Sequence, residues 1–72
     1  MICVGAKVQF CPHYMISSID TPEERRAKCI TGTISFVNWE HSLFIVEYES
    51  GGTTQLEAFK IYDIGRNVRL CK

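Results

Sequence analysis

Residues 31 to 53 read TGTISFVNWEHSLFIVEYESGGT, and this stretch limits the fold more than any other part of the chain. Apolar and polar side chains alternate along it, which is the period of a strand with one buried and one exposed face. The alternation breaks at Trp39-Glu40-His41 and again at Ser50-Gly51-Gly52. Breaks of that kind, the second rich in glycine, predict two hairpins and therefore three consecutive antiparallel strands.

The pairing register follows from asking which loop lengths bring large apolar residues together. With Trp39, Glu40 and His41 as the first loop, Asn38 faces Ser42, Phe36 faces Phe44, Ile34 faces Val46 and Gly32 faces Tyr48. With Ser50, Gly51 and Gly52 as the second, Tyr48 faces Thr54, Val46 faces Leu56 and Phe44 faces Ala58. Both choices predict an inner face of Ile34, Phe36, Phe44, Val46, Tyr48 and Leu56. The outer face then carries Val37, Leu43 and Ile45, with Trp39 at the hairpin tip. A sheet with one buried face does not need these three aliphatics outside, so either the chain covers them or a second molecule does.

The flanking segments complete an all-β plan. Gly5-Ala6-Lys7-Val8-Gln9-Phe10 reads as a turn feeding a short strand with Val8 and Phe10 on one face, stopped by Cys11-Pro12. Residues 12 to 26 form a long connection. Within it Asp20-Thr21-Pro22-Glu23-Glu24 has the marks of a helix start, namely a capping side chain, proline in the first turn and acids near the positive end of the dipole. Few apolar residues there can pack, so a loop is the alternative to one or two helical turns. After Ala58 the alternation is lost through Phe59 to Gly65, which predicts a short helical turn before a last strand at Asn67 to Cys71. Five short strands in 72 residues predict one domain spanning 1–72, and curling into a small barrel is the economical way to limit exposed edges.

Charge and cysteine usage bound the function. Eight basic and eight acidic residues give zero formal net charge, which weakens the case for non-specific nucleic-acid binding. Basic residues nevertheless gather at Arg25, Arg26 and Lys28 and at Arg66, Arg69 and Lys72. The first five are the candidate contacts to a nucleic acid, and solvated strand edges are the plainer reading. Cys3, Cys11, Cys29 and Cys71 stand singly, without the paired spacing of a zinc knuckle or the density of a secreted disulfide framework. They are expected to be thiols, and no metal or cofactor is expected. No nucleophile, base and orienting residue come together in the sequence, so no enzymatic activity is expected. Met1 to Ala6 is too short for a signal-peptide core and no run has the length of a membrane span, so a cytoplasmic protein without membrane contact is expected.

Gly5 and Val8 entering the first strand, the long second segment, Gly32-Thr-Ile-Ser-Phe-Val-Asn38, Phe44-x-Val46-Glu47-Tyr48 and Phe59 before a short turn resemble small SH3-like barrel proteins. The resemblance is to uncharacterised members encoded on mobile elements of Gram-positive bacteria, and it covers nearly the whole chain. It implies a five-stranded barrel and, with no chemistry attached to those proteins, an accessory or regulatory role on a mobile element. Gly32-x-Ile34 followed by Phe44-x-Val46-Glu47 also partly resembles the KOW variant of this barrel, which contacts RNA or polymerase. Two functional expectations result. One is a protein-interaction module whose patch is Val37, Trp39, Leu43 and Ile45, binding a protein partner or a second copy. The other is a nucleic-acid or ribonucleoprotein binder using the arginines.

Overall fold

The computed structural model describes residues 2–17 and 19–71. Five strands follow one another: β1 (Lys7–Phe10), β2 (Ile30–Asn38), β3 (Leu43–Ser50), β4 (Thr53–Lys60) and β5 (Val68–Leu70). They make one antiparallel sheet in the order β4-β3-β2-β1-β5. The protein is therefore all-β, as its alternation predicts. β4 and β5 are both edges, so the sheet does not close on itself.

The sheet nevertheless wraps one core. Val8 and Phe10 of β1, Ile34 of β2, Phe44, Val46 and Tyr48 of β3, Phe59 of β4 and Val68 of β5 pack into a single buried cluster. Phe10 meets Tyr48 and Phe59 edge to face, with ring centroids 5.2 and 5.5 Å away. Burying an aromatic or branched side chain of this kind is worth about 1.5 to 3 kcal/mol, and such contacts carry the stability of a small domain. Gly32 leaves room over β2 for the side chains of Val46 on β3 and Phe10 on β1, since a methyl group there would lie 2.5 Å from Val46 Cγ1 and 2.9 Å from Phe10 Cε1.

The long connection between β1 and β2 is ordered by short-range chemistry. A 3₁₀ turn covers His13–Met15, and α1 covers Pro22–Ala27. Thr21 caps α1, its Oγ1 accepting from Glu24 N at 3.2 Å, with Pro22 at the start and Glu23 and Glu24 in the first turn. The helix alternative at this position is thus the one adopted. A second 3₁₀ turn, Ile61–Asp63, precedes β5.

Both hairpin registers differ from those expected. Thr33 and Ile34 pair with Glu47 and Val46, but the register shifts between Ile34 and Phe36, after which Phe36 pairs with Ile45, Val37 with Phe44 and Asn38 with Leu43. Ser35 is the extra residue of a β-bulge, and a bulge swaps the faces of everything beyond it. Val37 accordingly packs against the core and Phe36 points out, 48% exposed. The first loop has four residues, 39 to 42. It is closed by Asn38 Oδ1 accepting from His41 N and by Ser42 at φ 54°. In the second hairpin Ser50 pairs with Thr53, so only Gly51 and Gly52 form the turn. Their φ angles of 61° and 79° fit a two-residue turn of the type that matches strand twist. Glu57 thereby faces inward beside Tyr48, Phe59 sits opposite Phe44, and Leu56 is outside, 62% exposed.

Candidate functional site

Directly opposed residues of an antiparallel pair share a face, so the register fixes what the outer surface of β2, β3 and β4 presents. Phe36, Ile45 and Ala58 form a cross-strand row. Leu43, opposite Lys60, lies on one side of it, and Leu56, opposite Glu47, lies on the other. Ile45 and Leu43 are half-buried, while Phe36, Ala58 and Leu56 are exposed. Glu47 and Glu49 sit at one end of this apolar strip and Lys60 at the other, all exposed. Trp39, 58% exposed, occupies the β2–β3 loop. A shallow depression of about 310 Å³ is bordered by Leu43, Ala58 and Lys60 together with His13, Phe59 and Asp63.

Of the four residues expected in a contact patch, Leu43 and Ile45 lie on this face and Trp39 in the adjoining loop. Val37 is in the core's periphery. Phe36 and Leu56, assigned inward by periodicity, replace it. The bulge at Ser35 hides Phe36 from an alternation argument, whereas the outward place of Leu56 follows from the two-residue Gly51-Gly52 turn, which did carry a signal because adjacent glycines favour such a turn.

The basic residues converge elsewhere. Arg25 and Arg26 of α1 and Arg66 and Arg69 near the C-terminus all line one cavity of about 500 Å³, which also includes Cys11 and Cys29. Lys28 is not with them. Its Nζ donates to both carboxylate oxygens of Asp20, at 3.0 and 2.9 Å, and to Met15 O at 3.0 Å. This latch, with Ser17 N donating to Asp20 Oδ2, ties the long connection together and holds the Asp20 carboxyl below its ordinary range. Burial pushes the Cys11 thiol up, and nearby Cys29 acts in the same direction. Lys72 lies outside the described residues.

A third polar cluster anchors the connection to β4. Glu57 Oε1 accepts from His13 N at 2.9 Å and lies 3.4 Å from His13 Nδ1, while the imidazole rests against Phe59 with centroids 5.1 Å apart. Tyr48 Oη donates to the same oxygen at 3.5 Å, and burial with the Glu57 charge raises its phenol. These bonds satisfy Oε1 of the half-buried carboxylate, whereas its Oε2 is buried without a hydrogen-bond partner.

No helix among the described residues is long and apolar enough to cross a membrane. Comparison with protein-family models, with curated proteins and with solved structures gives no match to this chain.

Proposed function

We propose that the protein is a non-enzymatic protein-interaction module that associates with a second copy of itself through the outer face of β2, β3 and β4. The observation that carries this reading is the uncovered strip of Phe36, Leu43, Ile45, Leu56 and Ala58 on a domain of zero net charge. A two-fold contact must be self-complementary. The strip meets that condition, since turning one copy over another brings Glu47 and Glu49 of each toward Lys60 of the other. Trp39 would extend the contact from the loop. The open β4 edge adjoins the same face and offers backbone groups to a neighbour.

The resemblance to barrel proteins of mobile elements supports an accessory or regulatory role on such an element. Cysteines without disulfide spacing support a cytoplasmic setting. The test is light scattering on the wild type, Leu43→Lys and Ile45→Lys, with thermal melts to confirm folding. Each lysine is expected to return the protein to monomer. Arg25→Glu combined with Arg26→Glu is expected to leave association in place.

A further inference from the structure

We propose that the cavity between α1 and the β5 region binds a phosphate-bearing ligand through Arg25, Arg26, Arg66 and Arg69. Two segments separated by some forty residues of sequence each bring two guanidinium groups to the same concave surface of about 500 Å³. Among the described residues the ion pairs are Lys28 with Asp20 and His13 with Glu57, so none of the four arginines is matched by a carboxylate. The two acids that line the cavity are engaged. Asp20 is held by Lys28, and Asp63 accepts from Asn67 Nδ2 at 3.0 Å and from Lys60 N at 3.1 Å. What remains is an excess of permanently charged groups over carboxylates free to pair with them, although Arg25 lies close enough to Asp20 to help hold its carboxyl low.

Arg25 shows this most directly. Its Nη2 reaches Ser17 O at 3.4 Å, while its Nε is buried and has no hydrogen-bond partner. A buried donor on a charged group is costly unless an acceptor arrives. Guanidinium forks pair two donors with two oxygens of one planar or tetrahedral oxyanion, so several of them around a cavity select phosphate, above all a group with more than one negative charge. The cavity volume suits a compact group such as a diphosphate or a nucleotide rather than a flat protein surface. Phosphate could come from a free small molecule or from the backbone of a nucleic acid strand, and the chemistry at the guanidinium groups is the same.

The experiment measures binding of inorganic pyrophosphate by calorimetry and of a fluorescent oligothymidylate by anisotropy, for the wild type, Arg25→Gln, Arg66→Ser with Arg69→Ser, and Lys7→Gln. Arg66 and Arg69 are exposed, so their double variant keeps the fold, which a thermal melt checks. Lys7 lies outside the cavity and serves as control. Pyrophosphate affinity is expected to fall at least tenfold in Arg25→Gln and in the double variant, and to stay unchanged in Lys7→Gln. Oligonucleotide binding that pyrophosphate displaces and salt weakens assigns the phosphates to nucleic acid, and pyrophosphate binding alone assigns them to a small ligand. No binding of either probe by the wild type, or equal binding by the double variant, overturns the proposal.

Discussion

Phe10 on β1 and Phe59 on β4 meet edge to face with ring centroids 5.5 Å apart, although β2 and β3 lie between their strands in the sheet. In a flat sheet three strand spacings would separate the two backbones by roughly 14 Å. The contact therefore measures how strongly the sheet curls. Phe44 on β3 stacks on the same ring at 5.8 Å, so the curl and the core are one feature.

Truncating that aromatic cluster should be severe and truncating the outer face should not. Phe44→Ala and Phe59→Ala are each expected to cost about 3 to 5 kcal/mol in urea denaturation, a large share of the stability of so small a domain. Phe36→Ala is expected to cost under about 1 kcal/mol, because its ring is already half in water. Equal losses at Phe36 and Phe44 would contradict the bulge at Ser35.

The glycines divide by mechanism. Gly32→Ala must push Val46 or Phe10 aside and should destabilise by about 1 to 3 kcal/mol. Gly51→Asn should be tolerated, because asparagine readily takes a positive φ and a Cβ there meets open space. Chemical denaturation of the two variants tests both statements.

Lowering the pH should loosen the long connection through Asp20. The Lys28 hydrogen bond, aided by Ser17 N, holds the folded carboxyl below its ordinary value of 3.8. A depressed acid contributes stability that is complete above the unfolded value and is lost as pH falls through the lower, folded one. Melting temperatures followed from neutral into strongly acid solution should therefore fall more steeply for the wild type than for Lys28→Met, which starts less stable. Parallel curves would remove the latch from the account.

Glu57 is expected to act as a strut. Glu57→Ala leaves His13 N and Tyr48 Oη without their acceptor and should cost about 1 to 3 kcal/mol, with exchange of the His13 amide accelerating more than that of Val46. Uniform acceleration across β3 would instead mean that the connection does not open locally.

Strand number, the long second segment, the capped α1 and the turn before β5 were legible because each leaves a local mark: alternation, a capping threonine followed by proline, loss of period. Face assignment was legible only in part. Ile34 with Val46 follows from alternation, but a single extra residue at Ser35 exchanges Phe36 and Val37, and no residue type announces it. The inward Glu57 defeats a hydrophobic count for a different reason. Its partners are a backbone amide 44 residues away and a tyrosine on the next strand, and neither pairing has a local signature. The two arginine groups were visible as clusters in the sequence. Their meeting at one cavity depends on β5 pairing with β1, a contact between the chain's two ends.

The proposed dimer joins two copies of the chain through the outer strip of β2, β3 and β4. Sedimentation equilibrium over a wide range of concentration, on the wild type and on Phe36→Lys combined with Leu56→Lys, tests it most directly. Both substituted side chains are exposed, so the variant should melt like the wild type. A monomer–dimer equilibrium is expected for the wild type and a monomer at every concentration for the variant. A wild type that stays monomeric throughout, or a folded variant that dimerises equally well, would contradict it.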